Sequence, residues 1–515
     1  MSRAAPDLVL HNATVITLDP VRPRASWIAI DRGKIIGVST GEPPIGSGVA
    51  TQSIDCQGGT LIPGFNDAHC HVLATAASLL ALDCSPTAVS SIEDIKEKLR
   101  ESSVQVSKNT WLRGTGYNDF YLQEKRHPNR WDLDQAIPHH PVRLLHRSGH
   151  AMVLNSRALT LAAINRDTPD PSGGVIERQE GTGEPTGLLL EMSDYLDGMI
   201  TPLSRDEMEW GMGQFNERCL ALGITSLQDA TPRNNLERWD LFSEFKERGL
   251  LTPSMTLMAG ANHLPKFLEK GFHFGYEKHG LRLGSAKIMV TMTAGSIRPS
   301  RDELRRLVGE SHSNGFQVAI HAVEAEAVEE AIDAIRLGAE GSMAGALRHR
   351  IEHCSECPTH LIEKLAYGDI MVVTQPGFLY HSGERYLAEI PSDRLPWLYP
   401  IGSMGVAGVP LAAGSDAPVI PMNPLVGIYA AVTRKAESGD AVLPGEAVSV
   451  EDALRMYTLG SAYASFEEHV IGSVEEGKRA DLALLDRDPT TVDREGIKDI
   501  RVLMTVVQGE VVWQG

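Results

Sequence analysis

Through most of its middle the chain sets short apolar runs, without polar alternation, between amphipathic helical stretches. The runs are GITSLQDA (223–230), PSMTLM (253–258), LGSAKIMV (283–290), GFQVAIH (315–321), LRHRIEH (347–353), DIMVVTQ (369–375) and VPLAAGSD (409–416). Helical stretches fall between several of them. DELRRLVGESHSNG (302–315) is one. EAEAVEEAIDAIRLG (324–338) is another, with Ala325, Val328, Ala331, Ile332 and Ile335 on one face. Strands that are apolar at both parities, each followed by a helix, belong to a parallel sheet buried on both faces. With LIPGFND (61–67) as the first, the strands number about eight, which is the count that closes a TIM barrel.

The two ends differ from this middle and resemble each other. LVLHNATVIT (8–17) and WIAIDRGKIIGVS (27–39) read as short strands, the second bending at Asp31-Arg32-Gly33. ADLALLD (480–486) and VLMTVVQGEVVWQG (502–515) repeat the pattern, with a turn at Gln508-Gly509. One small β-sandwich built from both ends is expected, from residues 1–62 and 466–515, around a barrel over 63–465. Residues 85–205 break the strand–helix rhythm and are rich in Pro, Gly, His and charge. They are expected to form an insertion after the first barrel strand. Long additions at that position lie over the barrel mouth.

Composition narrows the function. Acidic residues outnumber basic ones by 67 to 48, a formal net charge of -19. Nucleic acids and anionic membranes are bound mainly through Lys and Arg patches, so neither is expected as a partner. A small-molecule substrate fits better, and a homo-oligomer is compatible. No apolar run reaches the length of a membrane span, and MSRAAPDLVLHNATVITLD lacks a signal-peptide core. Six cysteines in 515 residues make no disulfide framework. These features point to a cytoplasmic protein.

His69-Cys70-His71 follows directly on the first strand. Alternate residues of an extended segment point the same way, so the two imidazoles can reach one cation. His321, His353 and Asp416 each end a later strand, and TIM-barrel active sites gather at those ends. Four histidines and a carboxylate match the donor set of zinc or a similar divalent metal. Lys287 sits inside LGSAKIMV with apolar neighbours of both parities. A buried neutral amine can form a carbamate that bridges two metals; the other reading is an ammonium paired with a barrel carboxylate.

The order GFNDAHCH, a strand lysine, a strand-end histidine, RIEH and GSDAPV resembles the amidohydrolase superfamily. RSGHAMVLNSRAL (147–159), AIHAVEAEAVEEAI and GKRADLALLD resemble its type 3 branch, which includes N-substituted formamide deformylases. That resemblance implies a TIM barrel with a β-sandwich made from both chain ends. It implies that His69, His71 and Asp416 hold one metal, and that His321 and His353 hold a second, bridged by carboxylated Lys287. His150 would reach the substrate. Two segments depart from the branch: Val323-Glu324-Ala325-Glu326 stands where Gly-Asp-Arg is common, and Thr293-Ala294-Gly295 where Asp-Gly is usual.

The expected reaction is hydrolysis of a C–N bond in an amide, formamide, carbamate or cyclic amide, on one or two metal ions. Asp416 would act as general base and then acid. Gln375, ending DIMVVTQ, is a further substrate-binding candidate. A mononuclear deaminase of a ring or amidine C–N bond uses the same barrel, and a non-catalytic scaffold would lack the ligands that are present here. Cys354 and Cys357 form a Cys-x-x-Cys without a second ligand pair, so a structural zinc is not expected there. No dinucleotide fingerprint and no G-x-S-x-G elbow occurs, which argues against a nucleotide cofactor and a serine nucleophile. Trp111, Tyr117, Phe120, Tyr121, Phe378 and Tyr380 suit either an apolar substrate group or packing of the insertion.

Overall fold

The structure, a computed structural model, describes residues 6–44, 51–104, 106–171, 173–193, 195–196, 198–292, 297–338 and 347–515. Thr293-Ala294-Gly295 lies outside the described residues. Contacts gather the chain into two compact units. One comprises the chain up to His71, Asn216–Asp416 and Pro421–Gly515; the other comprises Val72–Phe215 and Ala417–Ile420.

The first unit contains eight parallel strands: β1 (Phe65–Cys70), β2 (Ile224–Asp229), β3 (Ser254–Gly260), β4 (Leu281–Met289), β5 (Val318–Ala322), β6 (Arg350–His353), β7 (Met371–Thr374) and β8 (Leu411–Ala413). Each pairs with the next in chain order, so every connection is a crossover of the βαβ kind. The ring closes just beyond β8, where the Asp416 N–H donates to the His69 carbonyl at 2.7 Å and the Ser415 N–H to Asp67 Oδ1 at 2.8 Å. Gly414 permits that approach: a Cβ there would stand 2.4 Å from the His69 nitrogen. The result is a (β/α)8 barrel. Its helices follow the amphipathic patterns. Ala325–Gly338 buries Ala325, Val328, Ala331, Ile332 and Ile335, and Arg301–Ser313 starts at Ser300, whose hydroxyl accepts the Glu303 N–H.

LIPGFND divides between two sheets. Thr60–Pro63 joins the end-derived strands, and β1 begins at Phe65. Two sheets from the chain ends share one core. A four-stranded sheet orders Lys34–Ser39, Trp27–Asp31, Leu8–His11 and Gln52–Asp55. A six-stranded one orders Glu510–Gln514, Val502–Val507, Leu482–Leu485, Thr60–Pro63, Thr14–Ile16 and Arg24–Ala25. Leu8, Leu10, Ile28 and Ile35 of the first sheet meet Leu61, Leu482, Met504 and Val506 of the second. Both hairpin turns have two central residues at positive φ, Arg32-Gly33 (47° and 75°) and Gln508-Gly509 (52° and 81°). The tips touch: a Cβ on Gly33 would lie 2.7 Å from the Gln508 carbonyl oxygen.

The second unit has a sheet of its own, ordered Val175–Arg178, Pro185–Leu190, Ala151–Leu154, Val142–His146, Leu112–Tyr117 and Leu82–Asp83. The last three pair in parallel and the others antiparallel. Alternate residues of its strands enter different cores. Val153 joins Ile92, Ile95, Leu99 and Leu133, whereas Met152 and Leu154 join Ala158 and Leu159. Helices Ile92–Ser103 and Arg130–Ala136 both open with capping boxes, Ser91 with Asp94 and Asn129 with Asp132. The unit extends beyond the expected 85–205 at both ends. Among the described residues no helix is long and apolar enough to cross a membrane.

Candidate metal centre

His69 is the fifth residue of β1 and His71 follows its end. Their rings meet edge to face with centroids 5.5 Å apart. Cys70, between them, points the other way and donates its thiol hydrogen to the Gln228 carbonyl at 3.6 Å. His321 lies in β5, level with Met289, and His353 is the last residue of β6. The His353 ring stands 4.5 Å from that of His321 and 4.7 Å from that of His69. Asp416 Oδ1 faces both imidazoles of the His-x-His, 3.0 Å from His71 Nε2 and 3.5 Å from His69 Nε2. Donor atoms of His69, His353 and Asp416 all lie within 4.8 Å of one another. The backbone is in the left-handed region at His353 (φ 71°), Cys354 (φ 50°) and Asp416 (φ 59°). Such conformations cost energy in residues with a Cβ and concentrate where a site fixes side-chain direction.

A second layer fixes which ring nitrogen faces inward. His69 Nδ1 is 2.5 Å from Glu352 Oε2, His71 Nδ1 is 3.0 Å from the Thr231 hydroxyl, and His353 Nδ1 is 2.7 Å from Gln375 Oε1. For His69 and His353 the side-chain oxygen on Nδ1 draws the proton there and leaves the Nε2 lone pair for a cation, whereas His71 meets a hydroxyl at Nδ1 and the Asp416 carboxylate at Nε2. Glu352 is itself held: the Arg350 guanidinium donates to it from Nε at 2.5 Å and from a terminal nitrogen at 3.0 Å. The same guanidinium donates to Gln228 Oε1 at 2.6 Å and to the Ala68 carbonyl at 2.8 Å. Arg350 and Glu352 are fully buried, so each depends on the other for its charge.

Burial, with the neighbouring charges of Lys287 and His353, holds His69 well below the usual imidazole range, and burial lowers His353 too. Neutral imidazoles are the metal-binding form. Burial pushes the Asp416 carboxyl up, but the His71 hydrogen bond and the three nearby imidazoles outweigh it and leave the carboxyl far below its ordinary value. Asp67, below it, is pushed up to about 6 by burial, against two hydrogen bonds from Ser415.

Lys287, in β4, is fully buried, and its Nζ has no hydrogen-bond partner. It therefore does not form the direct carboxylate pair that a strand lysine was expected to make on one of the two readings. Burial pushes its ammonium down to about 8, partly offset by the charges of Glu352 and Asp416. The amine is close enough to His69 and His353 for its charge to lower both imidazoles, beside the cluster of His69, His353 and Asp416 donors. The donor set fits a divalent metal ion.

The other candidates lie as follows. Gln375 is buried just after β7, with its carbonyl on His353 and its amide nitrogen unpartnered. His150 lies in the second unit, half-exposed, with Nδ1 2.8 Å from Glu191 Oε1. Trp111 and Tyr117 belong to that unit's cores. Phe378 stacks on Tyr399 at 6.4 Å, and Tyr380 meets Tyr429 edge-on. Cys354 and Cys357 are buried free thiols. Sequence reading missed Glu352 and Arg350. Their signal was present: opposite charges two apart in RIEH, on one face of a buried strand.

The Amidohydrolase family model matches residues 52–513. The chain belongs to the amidohydrolase family. It is 29% identical to an N-substituted formamide deformylase of Arthrobacter pascens, with 98% of this chain and 97% of that one aligned. It is 28% identical to the putative amidohydrolase YtcJ of Bacillus subtilis, over 98% and 99% of the two chains. An uncharacterized metal-dependent hydrolase from Pyrococcus horikoshii shares the fold, with a TM-score of 0.74, 23% identity and coverage of 95% and 99%. Membership of the amidohydrolase family makes this chain a hydrolytic enzyme, and the cluster at its barrel mouth suits the divalent metal such hydrolases depend on.

Proposed function

We propose that this amidohydrolase cleaves a non-peptide amide-type C–N bond, with N-substituted formamides as the first substrate class to examine. The observation that carries this is the cluster of His69, His353 and Asp416 donor atoms, with His71 on Asp416, His321 beside His353 and the buried, unpartnered Lys287 amine near enough to perturb His69 and His353. His69, His71 and Asp416 would hold one cation and His321 and His353 another, with carboxylated Lys287 between them. A divalent ion, zinc or similar, supplies an acidified water and polarises the substrate carbonyl.

The chain's own groups do the rest. Asp416 takes the proton of the attacking water and returns it to the nitrogen as the C–N bond breaks. A formamide thus yields formate and an amine. The neighbouring imidazoles hold the Asp416 carboxyl far below the ordinary value and so keep it ionised. Glu352, through His69, and Gln375, through His353, hold the ring nitrogens in place. Gln375 also has an amide hydrogen to offer, and His150, oriented by Glu191, offers Nε2; both are proposed substrate contacts.

The test is turnover of N-substituted formamides, simple amides, carbamates and cyclic amides by full-length protein, before and after chelation. Formate release that disappears on chelation and returns with zinc supports the reading. Zinc-loaded protein that releases only ammonia from ring or amidine substrates would replace it with a deaminase.

A further inference from the structure

The second unit carries two arginines side by side within its sheet, and the proposed hydrolysis uses neither. Arg113 and Arg143 pair in register on the neighbouring parallel strands Leu112–Tyr117 and Val142–His146, so their side chains leave the same face of the sheet. On its other side Arg143 stands opposite Leu154 of the antiparallel strand Ala151–Leu154. Leu154 belongs to an apolar core with Trp111, Met152 and Leu159, and Leu145, two residues on from Arg143, packs against that core. The Arg143 cation is thus bordered by another cation and by hydrocarbon.

Neither guanidinium finds a carboxylate within the protein to offset its burial. Arg143 is half-buried, and its Nε is sealed from water without a hydrogen-bond partner. Burial lowers its pKa and the like charge of Arg113 lowers it further; among the described residues no carboxylate acts in the other direction. Arg113, also half-buried, donates from a terminal nitrogen to the Thr201 carbonyl at 2.6 Å, an acceptor without net charge. Glu207 offsets part of the burial of Arg113, yet its carboxylate is engaged by the Ser204 N–H at 2.7 Å. Like charges on adjacent strands repel, and a desolvated cation without a counter-charge is destabilising. The terminal nitrogens of Arg143 are not sealed as its Nε is, so the two forks can still donate to a ligand from solvent.

We propose that Arg113 and Arg143 form a binding site for a small oxyanion, a carboxylate or phosphate group held between the two guanidiniums. Planar forks with parallel N–H groups match the oxygens of such an anion, and its negative charge replaces a mutual repulsion with two attractions. The site shares no residue with the barrel centre and stands whether or not that centre acts as described.

Full-length protein is titrated by calorimetry with inorganic phosphate and, separately, with acetate, in a fixed background of sodium chloride. A barrel variant, His69→Ala with His353→Ala, removes anion binding at the metal and should still bind at least one of the two probes. Adding Arg143→Met, which keeps an unbranched stem, or Arg113→Met should weaken that binding by about tenfold or more. Binding of phosphate assigns a phosphate ligand, and binding of acetate a carboxylate. No binding of either probe, or equal affinity with and without Arg143, would overturn the proposal. Unfolding in urea gives a second reading. In anion-poor buffer Arg143→Met should be no less stable than the unmodified chain, because it removes a repelled and desolvated cation, and the bound probe should stabilise the unmodified chain alone. A clear loss of stability in Arg143→Met under those conditions would mean that the guanidinium is already satisfied within the protein, and would equally overturn it.

Discussion

His349 and His353 stand at opposite ends of one barrel strand, four residues apart, and burial lowers the pKa of both. Their partners give them different fates. At the N-terminal end His349 Nδ1 accepts the Val318 N–H at 3.0 Å, and its Nε2 faces His312 Nδ1 at 2.9 Å. Both ring nitrogens are spent on the protein. At the C-terminal end His353 donates Nδ1–H to Gln375, and its Nε2 remains for a ligand. Burial and residue type are therefore poor guides to a ligand histidine. What distinguishes it is the partner on the other nitrogen and the end of the strand on which it sits.

The largest effect should come from removing the carboxylate that anchors the mouth. Glu352→Gln removes the negative charge facing His69 Nδ1 and leaves the Arg350 guanidinium buried without its counter-charge. Loss of one member of a buried pair costs about 3–5 kcal/mol, and loss of a ligand's anchor lowers metal affinity roughly 10–100-fold. Denaturant unfolding of the metal-free protein and zinc titration read the two losses separately. Unchanged values in both would remove the distinction drawn between the strand's two ends.

The next effect belongs to the other end. Burial, and then the neighbouring His312, lower the His349 pKa to about 4. The unfolded chain, with an ordinary imidazole near 6.5, binds more protons between those values. The stabilising contribution of neutral His349 is complete above the unfolded value and is lost as pH falls toward about 4, to a limit of about 3 kcal/mol. Protonation would also put a hydrogen on Nδ1, against the Val318 N–H. His349→Gln should remove this part of the pH dependence of unfolding. The difference between the two proteins isolates it from Asp67, whose raised pKa acts in the opposite direction. An identical pH dependence in both would contradict the assignment.

Gln375→Leu should have the smallest effect. It keeps the volume but leaves His353 Nδ1 without an acceptor, so zinc affinity should fall about tenfold with little change in stability. A loss of turnover at saturating zinc, with affinity intact, would move Gln375 from positioning His353 to binding substrate.

The barrel was legible because a strand buried on both faces must be apolar at both parities, and Lys287 stood out as the charge that violates this. His69, His353 and Asp416 were legible because each closes the run of a strand expected in the barrel, at the end where barrel active sites gather. Partners contributed from distant positions were not. Glu352 anchors a histidine 283 residues away, and Arg350 binds Gln228 across 122. LIPGFND looked like one strand because both of its halves are buried, yet Thr60–Pro63 and Phe65–Cys70 lie in different sheets. The sheet of the second unit escaped notice because its strands are short, mixed in direction and separated by charged loops. Arg113 and Arg143 come side by side only once that sheet forms.

The central claim is that Lys287 completes a metal site at the barrel mouth, and bound zinc in Lys287→Ala tests it most directly. The measurement is made on folded, full-length protein. Zinc per chain should fall well below that of the unmodified chain, and a short carboxylic acid should restore part of it by occupying the vacated bridge. Undiminished zinc at the unmodified chain's stoichiometry would contradict the claim and leave a single ion held by His69, His71 and Asp416.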